Sequence, residues 1–201
     1  MAAKQTRKPV QAAKKGAPRV TRKTAGPPAR RKPAARVVTP VNGQAVQHEV
    51  EQFLYRQAEL LDAKRWQDYI DLFTEEGIYW MPARPEDTTW DGVPSIFAED
   101  KNLMNVRMGR VQHPDAWSQR PLWGTNHVVG NVIIERVAAN GDVVARSRFH
   151  MLELRRDNVR HFAGAYLHHL KKTKDGYRIE LQRVDLTNAQ AAFDYVLQVW
   201  V

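Results

Sequence analysis

Between residues 125 and 186 the chain alternates long Val- and Ile-rich runs with three tight-turn signals, Asn140-Gly141, Asp157-Asn158 and Asp175-Gly176, and nothing else in it constrains the fold as strongly. Asn-Gly and Asp-Gly supply the positive φ that short hairpin loops need, so the pattern predicts strands over 125–137, 142–156, 159–172 and 177–186. Upstream the periodicity is helical. Val46, Val50, Phe53, Leu54, Ala58, Leu60 and Leu61 recur at three- and four-residue spacing and predict a helix from about residue 44. Trp66, Tyr69, Ile70 and Phe73 share the face of a second helix over 66–73, ended by Glu75-Glu76-Gly77. Ile78-Tyr79-Trp80-Met81 reads as a short strand stopped by Pro82, and residues 83–95 read as a loop. A third helix is expected from Ser95 or Ile96 towards Arg110, with Ile96, Leu103 and Val106 inward and Glu99, Asp100, Lys101 and Arg107 outward. The apolar end, residues 193–201, is expected to dock on the sheet. Helices first and hairpins second is an α+β order, with the helices laid on one face of a curved antiparallel sheet. Such a cone has an interior, and element order does not say whether that interior is an open pocket or a filled core.

Charge divides the chain differently. Residues 1–40 carry twelve Lys or Arg and no Asp or Glu, whereas residues 41–201 carry nineteen basic and twenty-two acidic residues, leaving them at −3. The basic sequence pI therefore belongs to a segment of Ala, Lys, Arg, Pro, Thr and Val without aromatic residues, Leu or Ile. A segment of that composition cannot bury enough apolar surface to offset its ordering entropy, so disorder is expected for 1–40 and a single domain for 41–201. The polycation suits non-specific contact with nucleic acid or another polyanion through counterion release; a dispensable extension is weighed equally with it. Six prolines argue against an amphipathic transit peptide. No apolar run approaches membrane-spanning length, and a cytoplasmic protein is the expectation. The chain has no cysteine, which excludes disulfides, thiolate metal sites and a cysteine nucleophile.

Glu51-Gln52-Phe53-Leu54-Tyr55-Arg56-Gln57-Ala58-Glu59-Leu60-Leu61-Asp62, then Trp66-Gln67-Asp68-Tyr69 and Tyr79-Trp80-Met81-Pro82, resemble the opening of the β subunits of Rieske-type aromatic-ring-hydroxylating dioxygenases. Arg107-Met108-Gly109-Arg110-Val111, Ala116-Trp117-Ser118, Thr125-Asn126-His127-Val128-Val129-Gly130-Asn131-Val132 and Arg183-Val184-Asp185-Leu186-Thr187-Asn188-Ala189 follow in the family's order, so the resemblance spans roughly residues 45–201. It implies a nuclear-transport-factor-like (cystatin-like) cone and a non-catalytic support subunit, joined to a large α subunit in an α3β3 assembly. It also implies that the α subunit holds the Rieske 2Fe–2S cluster and the mononuclear iron, with NAD(P)H electrons arriving through a reductase, and that this chain holds no cofactor. The missing cysteines agree independently, because a Rieske cluster takes two Cys and two His. Thr125-Asn126 and Pro121-Leu122-Trp123-Gly124 depart from the family pattern and leave the aromatic substrate open.

The residues also permit chemistry in this chain. His127 and His150, with Asp62 or Asp71, form a candidate acid–base set of the kind used by dehydratases and isomerases of this fold class, and this stands as the alternative function. A hydrogen-bonded core or interface role is the preferred reading of those histidines. His161, His168 and His169 do not make an iron triad: seven residues of strand separate the first two by about 23 Å at roughly 3.3 Å per residue and put them on opposite faces. They read as surface and interface polarity. Trp66, Tyr69 and Trp80 fall on core-facing positions, whereas Trp90, Trp117 and Trp123 lie in irregular segments and, with Arg107, Arg110 and Arg120, are candidate anchors for a partner subunit.

Overall fold

The structure, a computed structural model, describes residues 42–117, 120, 122–192 and 196–201, so the expectations for residues 1–40 lie outside the described residues. Helix α1 (Asn42–Asp62) turns Val50, Leu54, Ala58 and Leu61 to the interior at helical spacing. A turn with Lys64 at φ 57° leads into the short α2 (Trp66–Ile70). The expected second helix stops early because β1 (Phe73–Pro82) begins at Phe73. The Ile179 N–H donates to the Leu72 carbonyl at 2.8 Å, so pairing with the far strand overrides the local helical period.

β2 (Ser95–Asp100) occupies the first part of the expected third helix and pairs antiparallel with β1, Met81 opposite Phe97. The helix α3 (Lys101–Gln112) starts only where the Asp100 carboxylate accepts the Leu103 N–H at 2.8 Å, a side-chain N-cap. Its faces are the reverse of the expectation. Met104 and Val111 are buried, while Leu103 and Val106 stand 52% and 61% exposed.

β3 (Gly124–Val137), β4 (Val143–Arg155), β5 (Asn158–Thr173) and β6 (Gly176–Leu186) follow the turn signals closely, and Gly141 and Gly176 take the positive φ that those turns require. The sheet runs β2-β1-β6-β5-β4-β3. It is mixed rather than wholly antiparallel, because β1 lies parallel to β6. A bulge between Gly130 and Ile133 places Asn131 at φ 51° and bends β3 over α1, where the Gln47 amide donates to the Val132 carbonyl at 2.8 Å.

Phe149, Met151, Phe162, Tyr166, Leu170, Ile179 and Val184 line the concave face under α1 and α2. Trp80 is buried on the other face, under Trp90 and the Arg183 guanidinium, which lies 4.5 Å from the Trp80 ring and also holds the Asp87 and Pro85 carbonyls. Of the chain end expected to dock, residues 193–195 lie outside the described residues and Val196 is exposed, while Leu197, Val199, Trp200 and Val201 are buried. The Val201 N–H donates to the Tyr79 hydroxyl at 3.1 Å, and the Trp200 indole donates to Glu99 at 3.1 Å. The result is the cone that the resemblance implied, with the helices on the concave side of a curved sheet. Among the described residues no helix is long and apolar enough to cross a membrane.

Candidate functional site

Asp62 closes α1, and β3 crosses above it. Its carboxylate accepts the Thr125 hydroxyl at 2.9 Å, the His127 backbone N–H at 2.8 Å and the His127 ring at 2.6 Å. Burial by itself would push this carboxyl up. The hydrogen bonds from the His127 ring and amide and from Thr125 outweigh it and hold Asp62 below the ordinary carboxylate range. An ionised Asp62 accepts only, so the proton sits on His127 Nδ1 and the ring turns Nε2 inward. Of the four catalytic candidates, the fold thus brings His127 and Asp62 together.

The other two are elsewhere. Asp71 follows α2 and accepts the Gln67 amide at 3.0 Å, while its backbone carbonyl takes the Arg178 guanidinium. His150 points out of the opposite face of the sheet, 3.3 Å from His161. The alternative set is thereby reduced to one dyad.

An acid–base dyad needs room for a substrate. His127 Nε2 is buried without a hydrogen-bond partner beside a crevice walled by Leu54, Gln57, Ala58, Leu61, Val129 and Tyr166 that is too narrow to admit a water molecule. Tyr166 closes it from the far side, stacked on Phe149 at 4.3 Å between ring centres and inclined by 16°. Burial pushes the Tyr166 and Tyr69 hydroxyls well above the usual phenol range, so neither supplies a base. Beyond Tyr166, His168 is fully buried with neither ring nitrogen hydrogen-bonded, and burial, with a smaller contribution from His169, depresses it to about 3. Surface polarity is therefore the wrong description of His168. It is a neutral core residue, whereas His161 and His169 do lie on the outer face. Among the described residues, the surroundings of this dyad are a filled core that keeps a polar clamp between helix and sheet.

The candidate partner-facing residues divide into two groups. Trp117 is 76% exposed, and Trp90, Arg110 and Arg120 are exposed as well. Trp123 is instead buried against Trp66, with ring centres 6.3 Å apart. Arg107 is committed within the chain: it pairs with Glu99 at 2.5 Å and lies 3.7 Å above the Phe97 ring. Sequence reasoning missed the apolar surface that Leu103, Val106 and Val196 form beside a 260 Å³ groove between α3 and the chain end. The available signal was Met104, Met108 and Val111 at i, i+4 and i+7, which leaves Leu103 and Val106 on the other side.

Among the described residues no group of three or more His, Asp or Glu side chains converges to hold a metal ion. The Rieske donor set does not fit this chain, which has histidines and no cysteine, so no step runs through an iron–sulfur cluster here.

The family model described as ring hydroxylating beta subunit matches residues 56–191. The anthranilate 1,2-dioxygenase small subunit of Acinetobacter baylyi is 32% identical over 144 residues, covering 69% of this chain and 88% of the relative. Among solved structures, the β subunit of benzoate 1,2-dioxygenase from Burkholderia mallei superposes with a TM-score of 0.60 at 24% identity, covering 74% of this chain and 95% of the other. Naphthalene 1,2-dioxygenase with indole bound superposes at 0.68 and 20% identity, covering 79% and 86%. These two share the fold, and the family match extends from the last turns of α1 through the strand that carries His127 to residue 191, just past the end of β6. The chain belongs to the ring hydroxylating β-subunit family and is the small, structural subunit of an oxidoreductase.

Proposed function

We propose that this chain supports an α3β3 aromatic-ring-hydroxylating dioxygenase in the breakdown of aromatic compounds, in the cytoplasm, while a large α subunit binds the substrate. In this reading the α subunit holds the Rieske cluster and the mononuclear iron, and NAD(P)H electrons reach them through a reductase. The observation that carries it is the closed setting of the acid–base dyad: among the described residues His127–Asp62 lies beside a crevice without room for water, so it fastens α1 to β3 instead of meeting a substrate. Trp90, Trp117, Arg110 and Arg120 remain as anchors towards a partner, while Trp123 packs against Trp66 and Arg107 pairs with Glu99 within the chain.

Co-expression with a large-subunit gene of the same dioxygenase family tests this. A roughly equimolar, iron-containing complex with aromatic-dependent O2 uptake is expected once reductase is supplied. An iron-free self-oligomer that ignores the large subunit would overturn it.

A second reading concerns residues 1–40 alone. Their twelve basic and no acidic residues favour non-specific nucleic-acid contact, and they lie ahead of the family match. DNA retention that falls steeply with salt in the full chain, and disappears when 1–40 are deleted, is the expected result.

A further inference from the structure

Sequence spacing puts His161 on one strand with His168 and His169, but its partner in space is His150 on the neighbouring strand. β4 and β5 pair with His150 opposite Ala163 and Leu152 opposite His161, so the two histidines are diagonal neighbours on the outer face. Both are exposed. Their ring centres are 5.2 Å apart with planes inclined by 36°, and His150 Nε2 lies 3.3 Å from His161 Nδ1.

That separation has a chemical meaning. Imidazole nitrogens bind zinc at about 2.0–2.1 Å, and two of them at the tetrahedral angle are about 3.3–3.4 Å apart. As it stands one ring donates a hydrogen bond to the other. With each ring in the tautomer that leaves a lone pair on the facing nitrogen, the same two atoms span one edge of a metal tetrahedron without movement of either strand. We propose that His150 and His161 form a two-imidazole clip for a borderline divalent transition-metal ion, with Zn2+ as the reference ion. The clip supplies two ligands, short of a closed structural site, and leaves two positions for solvent or for a donor from another molecule. It lies on the opposite face of the sheet from the His127–Asp62 clamp.

The test is calorimetric titration of the full chain with ZnCl2 and CuCl2. One ion per chain is expected, Cu2+ tighter than Zn2+ in the order usual for nitrogen ligands. His150→Ala and His161→Ala should each weaken Zn2+ binding at least about tenfold, because the second imidazole acts at the high effective concentration set by the sheet. His48→Ala and His113→Ala, which remove exposed histidines on α1 and after α3, should leave it unchanged. Affinity retained in either clip variant, or equal losses in the two control variants, would overturn the proposal. Exposure of both rings keeps the variants folded, and circular dichroism checks this.

Discussion

Val128 pairs with His150 and His127 pairs with Met151, so His127 and His150 occupy adjacent register steps of the same β3–β4 ladder, and yet they live in different worlds. On the concave face His127 is buried and tied to Asp62; on the convex face His150 is exposed and meets His161 of β5. Alternation along a strand sends neighbours to opposite faces, so one residue of offset decides between core clamp and surface group. The two faces also differ in how they hold apolar residues. The concave face stacks Phe149 and Tyr166 under the helices, whereas the convex face leaves Val128 61% exposed and Val159 and Leu154 partly in solvent. Identical strands thus carry a finished core on one side and, on the other, a surface open to contact.

The largest expected effect that separates the faces is Phe149→Ala, which removes the ring lying over Gly164 and Tyr166. It should cost about 4 kcal/mol in a urea titration, since core aromatic truncations lose both burial and packing, while Val128→Ala stays within about 0.5 kcal/mol. Next comes acid. His168 has its folded pKa depressed to about 3 from 6.5, so between these values the unfolded chain binds more protons and stability must fall as pH falls from 6.5. About 3 kcal/mol should be lost by pH 4, and His168→Leu should flatten that part of the curve. An undiminished slope in the variant would show that His168 is not held neutral in the core. Asp62 adds to the effect lower down, its stabilisation being lost as pH drops below 3.8.

Asp62→Ala should cost about 2 kcal/mol at pH 7, because it strands the buried His127 ring and amide donors; Asp71→Ala, at an exposed turn, should cost less than about 0.5 kcal/mol. Equal losses would erase the distinction between clamp and surface carboxylate. The smallest effect on stability belongs to Trp117→Ala, within about 0.5 kcal/mol in the isolated chain, yet it should weaken co-purification with the large subunit at least tenfold if this exposed ring is an anchor.

Much of this was legible in the residues. The turns at Asn140-Gly141 and Asp175-Gly176 delimit β3 to β6 almost to the residue, since a positive φ is a local demand met by local residue types. The spacing along α1, the basic segment ahead of it and the lack of any thiolate ligand were likewise visible. β2 (Ser95–Asp100) was not legible as a strand: six residues are too few for a period to declare itself, and the edge of β1 made it one. Phe73 left its helix for the same reason, captured by β6 from more than a hundred residues away. Pattern likewise told that His168 and His169 face opposite ways, but not which of them would be buried.

By itself the sequence determined what depends on neighbours along the chain: the hairpins, the amphipathic first helix, the order of elements and, through its motifs, the family. Only the tertiary structure decided what depends on groups far apart in sequence: the parallel β1–β6 pairing, the burial of Trp123 against Trp66, the choice of Asp62 over Asp71 as partner of His127, and the filling of the cone. The physical reason is range. Turn chemistry and helical period act over a few residues, whereas burial and hydrogen-bond partnership are settled when the strands close on the helices and each side chain meets whatever the rest of the chain has brought beside it.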